Sequence, residues 1–248
     1  MSIEEPIDAL FVSPHLDDAV FSVGGTIARL RGEGRRVVVA TVFTRSVPHP
    51  VGFALACQTD KGLAPSADYM AMRRDEDCAA CNRLGVGACD VIHLDLPEAP
   101  HRGYHSAAEL FAGIHEADRA TTGDIERVLE PLIQRAATIY LPLGHGHHVD
   151  HLLVIDAVDR LAAPSRQRRW HDVPYVARLP GHVLREGDAT DIAATLHAKI
   201  DACACYATQI PFQFGDEEKM AAQLERLARA GSETGEAVER CVAGGSTP

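Results

Sequence analysis

The chain has 248 residues, a net charge of −11, 46% hydrophobic residues and 24% charged residues. This composition is typical of a soluble globular protein, and we expect one domain over residues 1–248 with a frayed tail at 243–248. The acidic balance argues against nucleic acid and anionic membranes as partners. No apolar run has signal-peptide or bilayer length, and the seven cysteines lack disulfide-module spacing, so we expect a reducing, cytoplasmic location.

Short apolar runs alternate with segments of helical periodicity along the chain. The runs predict strands at 9–12, 37–43, 91–96, 138–143 and 174–179. The periodic segments predict helices at 20–30, 71–84, 106–117, 122–136, 152–161, 189–206 and 216–230. Residues 44–67 are rich in Pro and Gly and are too long for a simple connection, which predicts a functional loop or lid. The alternation as a whole predicts an α/β fold with a mostly parallel sheet.

A first polar cluster follows the first predicted strand. The segment 13–19 reads Ser-Pro-His-Leu-Asp-Asp-Ala and opens a predicted helix. The carboxyl end of a strand in an open α/β sheet is where ligands bind, and Asp and His suit Zn²⁺. The alternative is that Asp17 and Asp18 only cap the helix and that His15 is an ordinary loop residue.

A second polar cluster follows the fourth predicted strand and also opens a helix. It consists of His145, His147, His148, Asp150 and His151. Because the carboxyl ends of parallel strands share one edge of a sheet, His15 and Asp18 can approach His148 and His151 in space. Such convergence supplies what a catalytic metal needs, namely three protein ligands and an open position for water.

These two clusters resemble the paired motifs of the LmbE/PIG-L family of zinc-dependent N-deacetylases. Residues 15–18 (His-Leu-Asp-Asp) look like the HPDD motif of that family, and residues 148–151 (His-Val-Asp-His) look like its HPDH motif. The similarity continues through the Arg-rich helix at 73–76, the strand end at 94–97 and the late segment 199–209. The sequence departs from the family pattern at Leu16, where Pro is usual, and at Ala19, where Glu is common.

The resemblance implies a Rossmann-like, mostly parallel sheet with helices on both faces and the active site at the carboxyl ends of the strands. By position, it assigns the metal ligands as His15, Asp18 and His151. It makes Asp17 the general base and His148 the cation or donor that stabilises the oxyanion. Asp150 would orient a neighbouring imidazole. Zn²⁺ is the expected cofactor, although Fe²⁺ or Co²⁺ would accept the same ligands.

Further candidates for substrate binding lie in or near the strand-end loops, with a solvated surface position as the alternative for each. They are Arg45, Arg73, Asp95, Arg102 and Tyr104. Trp170 and Tyr175 are interpreted as packing residues.

The function that the resemblance implies is hydrolysis of an N-acyl amide, with acetyl as the expected acyl group. The expected partner is a small polar metabolite, such as an N-acetyl amino sugar or a natural-product intermediate, and a homo-oligomer remains open. One alternative is an amidase acting on a thiol-sugar conjugate or a larger acyl amide. Another is a non-catalytic nucleotide- or sugar-binding module, although no G-x-G-x-x-G follows the first strand.

Overall fold

One seven-stranded sheet organises the molecule, for which the computed structural model describes residues 5–246. Its strands are β1 (Ile7–Ser13), β2 (Val37–Phe43), β3 (Val91–Leu96), β4 (Ala136–Pro142), β5 (Gln167–Trp170), β6 (Asp188–Asp191) and β7 (Val238–Ala243). Their spatial order is β3-β2-β1-β4-β5-β7-β6. Strands β1 to β5 are parallel, whereas β7 is antiparallel to β5 and β6. The predicted mostly parallel α/β sheet is confirmed.

Helices cover both faces of this sheet. They are α1 (Asp18–Gly32), α2 (Gly52–Thr59), α3 (Tyr69–Arg83), α4 (Thr121–Ile133), α5 (Val149–Leu161), α6 (Leu196–Cys203), α7 (Ile210–Gln213) and α8 (Glu217–Ala230). Successive residues of β1 point to opposite faces. Phe11 therefore packs in one core with Ile27 of α1 and Leu224 of α8, while Leu10 packs in a second core with Leu153 of α5. The predicted placement of helices on both faces is confirmed.

The two central strands, β1 and β4, lie at the point where the chain changes its direction of travel across the sheet. From β1 the chain proceeds outward to β2 and β3, and from β4 it proceeds the other way to β5. Leu10 of β1 accordingly pairs with Val38 of β2 on one side and Ile139 of β4 on the other. Open α/β sheets form a ligand crevice at the carboxyl ends of such strands. The loops that open α1 and α5 meet there.

Helix α1 is broken at Val23, where the backbone leaves helical geometry (φ −134°, ψ 27°). Glu239 of β7 accepts hydrogen bonds from the backbone N–H groups of Gly25 and Thr26 at 3.0 and 2.7 Å. Lys199 of α6 neutralises this buried carboxylate through an Nζ–Oε1 contact of 2.7 Å. The C-terminal part of the chain thereby holds α1 against the sheet.

Several predicted elements differ from the structure. Residues 44–67 contain helix α2, residues 106–117 form short 3₁₀ turns, and residues 189–206 divide into β6 and α6. The predicted strand at 174–179 is wrong, because residues 175–178 form a 3₁₀ turn and the strand lies earlier, at β5.

Strand β5 is buried although its sequence, Gln-Arg-Arg-Trp, is mostly polar. Gln167 and Arg169 are 0% and 2% exposed. Gln167 Nε2 donates to the carbonyl of Ala162 at 2.9 Å, and Arg169 forms an ion pair with Asp159. These partners engage the Gln167 amide and an Nη atom of Arg169, so a strand can be buried here without apolar periodicity, even though Arg169 Nε has no partner within residues 5–246.

Part of the expected tail at 243–248 is described. Ala243 ends β7 opposite Arg168, and the carbonyl of Ser246 accepts a hydrogen bond from Arg169 at 2.9 Å. Residues 247–248 lie outside the described part of the chain. Among the helices found between residues 5 and 246, none has the length and hydropathy needed to cross a bilayer.

Candidate metal centre and active site

The loops after β1 and β4 bring three imidazoles together. His15 follows β1, whereas His148 and His151 lie at the start of α5. One ring nitrogen from each of these residues lies within 4.8 Å of the other two. The ring centroid of His15 is 4.9 Å from that of His148 and 5.4 Å from that of His151. This grouping has the donor type and the spacing that a single divalent cation requires.

Asp18 lies between two of these imidazoles. Its Oδ2 is 3.2 Å from His15 Nδ1 and 3.2 Å from His151 Nε2. The same oxygen accepts a hydrogen bond from the backbone N–H of His15 at 2.8 Å. Burial would raise the pKa of Asp18, but the adjacent imidazoles of His151 and His15 hold it well below its usual value. Asp18 is therefore an ionised carboxylate facing the ring nitrogens.

Carboxylates on the outer side of the cluster decide which nitrogen of each ring faces inward. His15 Nε2 lies 2.8 Å from Asp150 Oδ2, and His151 Nδ1 lies 2.8 Å from Asp172 Oδ1. When each ring donates a hydrogen bond to its outer carboxylate, His15 Nδ1 and His151 Nε2 face inward and are the atoms that can bind a cation once it displaces their protons. Within residues 5–246, the buried His151 Nε2 makes no well-aligned hydrogen bond, although Asp18 Oδ2 lies 3.2 Å away. A buried nitrogen that faces a carboxylate and a second imidazole in this way fits a divalent cation.

Asp17 is a buried carboxyl beside this cluster. Its Oδ2 lies 3.7 Å from an Nη atom of Arg73, which also forms an ion pair with Glu98. Burial raises the pKa of Asp17 to about 7, although the guanidinium of Arg73 favours the ionised form. A carboxyl that titrates near neutral pH can both accept and return a proton.

His148 caps helix α5. Its Nδ1 accepts a hydrogen bond from the backbone N–H of Asp150 at 3.2 Å. Burial, reinforced by the neighbouring His15, lowers the pKa of His148 to about 3. The ring is therefore neutral and carries its proton on Nε2. Of the two forms expected from the sequence, a cation or a donor, the structure favours the neutral donor.

A cavity of about 270 Å³ opens onto the cluster. Its polar lining includes His15, Asp17, Asp18, His148, Arg73 and Lys61. Its apolar lining includes Phe53, Phe111 and Phe212, which come from α2, a 3₁₀ turn and α7. A small molecule entering this cavity therefore meets the ligand atoms directly, with a guanidinium and aromatic rings around it.

Two of the expected substrate contacts lie beneath the site. Tyr104 is fully buried, and its hydroxyl accepts a hydrogen bond from the His115 backbone N–H at 3.0 Å. The guanidinium of Arg102 is occupied by ion pairs with Asp118 and Asp150. This corrects the expectation that Tyr104 and Arg102 contact substrate, since neither side chain is offered to the cavity.

Two further candidates lie outside the cavity. Arg45 Nε and Asp95 Oδ2 form an exposed ion pair at 3.3 Å near the carboxyl end of β3, and neither residue lines the cavity. Their expected role as substrate contacts is corrected in the same way. Arg73, by contrast, does line the cavity.

Asp172 is a site residue that the sequence reasoning missed. Besides binding His151, it accepts hydrogen bonds through Oδ2 from the backbone N–H groups of Gly144 and His145 at 2.8 and 3.0 Å. It therefore fixes both a candidate ligand, His151, and the loop that leads into the helix of that ligand. The signal was the His171-Asp172 pair directly after β5, which is visible only when that strand is placed correctly.

The comparisons with known proteins agree with this geometry. A family model described as PIG-L: GlcNAc-PI de-N-acetylase matches residues 10–162, which include both His/Asp motifs. The chain belongs to this family. It is 32% identical over 191 residues to a 2'-N-acetylparomamine deacetylase of Streptomyces fradiae, a match that covers 75% of this chain and 61% of that protein. This PIG-L family chain thus spans less than two thirds of that relative's length.

Other relatives match over a larger share of their length. The PIG-L family chain is 26% identical to a 1D-myo-inositol 2-acetamido-2-deoxy-alpha-D-glucopyranoside deacetylase of Rhodococcus jostii, over 81% of each chain. A deacetylase from the teicoplanin biosynthesis pathway superimposes with a TM-score of 0.81 at 25% identity, over 97% of this chain and 100% of the other. A zinc-inhibited form of a teicoplanin deacetylase gives a TM-score of 0.79 at 25% identity over the same shares. The predicted family resemblance and fold class are confirmed.

Proposed function

We propose that this PIG-L family protein is a zinc-dependent N-deacetylase. Its substrate would be a small polar metabolite carrying an acetamide, such as an N-acetylated amino sugar or a natural-product intermediate. The observation that carries the proposal is a buried carboxyl, Asp17, beside a cluster of metal-ligand atoms in an accessible cavity. Relatives that are named as deacetylases support the acetyl amide as the bond that is cleaved.

Residues His15, Asp18 and His151 would hold the metal. Two observations support this assignment: their inward atoms converge, and the outer carboxylates favour the tautomer of each imidazole that can bind a metal. A bound divalent cation polarises a carbonyl group and lowers the pKa of water to about 7. A ring nitrogen of His148 also lies within 4.8 Å of a ring nitrogen in each of these two histidines. Its capped Nδ1 and protonated Nε2 favour a donor role instead.

The chain's own residues account for the proton movements of amide hydrolysis. Asp17 would take a proton from the attacking water as the new carbon–oxygen bond forms. His148 Nε2–H would donate a hydrogen bond to the oxygen of the tetrahedral intermediate. When the carbon–nitrogen bond breaks, the proton held by Asp17 would pass to the departing amine. The products are then a free amine and a carboxylic acid, whose remaining proton is lost to solvent water to leave the carboxylate.

A larger acyl group is the second candidate for the substrate. Phe53, Phe111 and Phe212 line the same cavity as the proposed ligands, and such rings would accommodate a bulky apolar acyl chain. An amide of a thiol-sugar conjugate is a further possible substrate, and the same amine-release assay tests it. Acetyl remains the primary proposal because the named relatives are deacetylases.

The test measures amine release from a panel of N-acetylated and longer-chain N-acylated amino sugars. We expect the wild-type protein to release amine, a chelator to abolish this activity, and one equivalent of added Zn²⁺ to restore it. Fe²⁺ and Co²⁺ are compared in parallel, because one structural relative is described in a zinc-inhibited form. A metal-free protein with full activity would overturn the proposal.

The variant Asp17→Asn separates metal binding from proton transfer. It should keep one equivalent of zinc and lose about 10²–10⁴-fold in turnover, the usual contribution of a general base. Asp201→Asn is the matched control, because its carboxylate lies on the surface of α6. Wild-type turnover in Asp17→Asn would remove Asp17 from its proposed role.

A further inference from the structure

Tyr175 lies in the segment after β5, and its ring packs against the backbone of the loop between β4 and α5 at Gly146. Gly146 has a positive φ of 84°, and a Cβ at this position would lie 2.9 Å from the Tyr175 ring. The Tyr175 ring centroid is 5.7 Å from that of His151 and 5.9 Å from that of Phe111, both in edge-to-face geometry. A glycine is therefore required where the ring packs on the loop.

The rings of four residues contact one another in a cycle at the edge of the cavity, in the order Tyr175, His151, His148 and Phe111. Phe111 lies 5.3 Å from His148, and His148 lies 5.5 Å from His151, measured between ring centroids. With the two contacts of Tyr175, each ring has two neighbours. Tyr175 and His148 occupy opposite corners, on either side of His151. Both residues line the cavity.

The segment that carries Tyr175 is fixed at several points. Asp172 is bonded to His151, and the carbonyl of Asp172 accepts a hydrogen bond from the Val176 N–H at 2.8 Å. The N–H of Val173 donates to the hydroxyl of Ser22 on α1 at 3.1 Å. The position of Tyr175 is thus set by the same groups that fix the candidate ligands, as preorganised contact with a substrate requires.

The hydroxyl of Tyr175 differs from those of three other tyrosines. Tyr69, Tyr104 and Tyr206 have their hydroxyls hydrogen-bonded to Gln209, the backbone of His115 and Asp77. The hydroxyls of Tyr175 and Tyr140 have no such partner in the part of the chain that the structure describes, and of these two residues only the half-buried Tyr175 lines the cavity. Phenolic hydroxyls near a protein interior usually find a partner. A ligand in the cavity would supply one.

We propose that Tyr175 is a substrate-contact residue whose hydroxyl donates a hydrogen bond to the acyl oxygen of the amide. The inference rests on the proposed deacetylase function. The acyl carbon must lie within reach of Asp17 and His148, and Tyr175 lies across His151 from His148 in the ring of four. An ordinary tyrosine hydroxyl has a pKa of about 10, so at neutral pH it is protonated and can donate a hydrogen bond.

The test uses Tyr175→Phe, which keeps the ring and removes only the hydroxyl. Acetate is the binding probe, because it is the acyl product and carries the oxygen in question, and glucosamine is the matched amine probe. The control is Tyr140→Phe, whose ring stacks on Phe11 at 4.4 Å within the sheet. Each zinc-loaded protein is measured for acetate and glucosamine affinity, zinc content, melting temperature and kcat/KM with N-acetylglucosamine.

We expect Tyr175→Phe to bind acetate about tenfold more weakly and to lose about 10–100-fold in kcat/KM. Glucosamine affinity, zinc content and melting temperature should stay at wild-type values, as should every property of the control. Acetate affinity within twofold of wild type, or an equal loss for glucosamine, overturns the proposal. A wild-type protein that binds acetate but deacetylates nothing would instead refute the proposed function, while the acetate comparison still tests Tyr175.

Discussion

Replacing Asp172 with Asn removes the negative charge and one of the two acceptor oxygens from the side chain that is bonded to His151. In the wild type, three N–H donors converge on this carboxylate: His151 Nδ1, the backbone of Gly144 and the backbone of His145. An asparagine has one acceptor oxygen and one NH₂ group. If its oxygen faces His151, its NH₂ opposes the two backbone donors. If the amide is reversed, NH₂ faces His151 Nδ1, and the ring proton moves to the nitrogen needed for the metal.

The expected loss follows from this conflict. Changing the carboxylate that orients a metal-bound histidine costs about 10–100-fold in metal affinity or activity. That range corresponds to about 1.4–2.7 kcal/mol of binding free energy. Because Asp172 also serves two buried backbone donors, the metal-free protein should lose a further about 1–3 kcal/mol in its free energy of unfolding.

The assay for Asp172→Asn is competition for zinc with a chromophoric chelator at fixed pH, followed by denaturant unfolding of the metal-free protein. Asp124→Asn is the control, because that carboxylate forms an exposed pair with Arg127 at 2.9 Å on α4. The control should match wild type in both measurements. Zinc affinity of Asp172→Asn within twofold of wild type would show that His151 is not a ligand oriented by Asp172.

Two further predictions concern helix α1, and both are read from denaturant unfolding. Lys199→Met leaves the buried carboxylate of Glu239 without its cation, so the free energy of unfolding should fall by about 3–5 kcal/mol. Gly25→Ala places a methyl group 2.9 Å from three side-chain carbons of Ile192, so it should destabilise the protein by about 1–3 kcal/mol.

Each of these predictions has a matched control. Lys219→Met breaks an exposed pair with Asp216 and should change stability by no more than about 1 kcal/mol. Gly32→Ala adds a methyl group where nothing lies within 4 Å, so stability should stay level or rise slightly. Equal effects of Lys199→Met and Lys219→Met would contradict the account of the Glu239 contact. Equal effects of the two glycine variants would contradict the close packing of α1 on Ile192.

The positions of the central strands and of most helices could be predicted from the sequence, because they follow from the periodicity of apolar residues. Strands β2 and β3 have the predicted bounds, 37–43 and 91–96, since β2 is an almost wholly apolar run and four of the six residues of β3 are apolar. Helices α1, α3, α5 and α8 lie where the helical spacing of apolar residues predicts them. Placing the His/Asp motifs after β1 and β4 needed only the rule that parallel strands end at one edge.

Other features were decided only by the tertiary structure, because they depend on polar groups that find partners far along the chain. Strand β5 is buried with Asp159 and the Ala162 carbonyl as partners for Arg169 and Gln167, although its sequence resembles a surface loop. The neutral state of His148 results from burial beside His15, which lies on another strand end. The sequence by itself thus determined the scaffold and the two motifs. The packing determined which carboxylates, arginines and tyrosines face the site, because local residue order does not encode pairing across the fold.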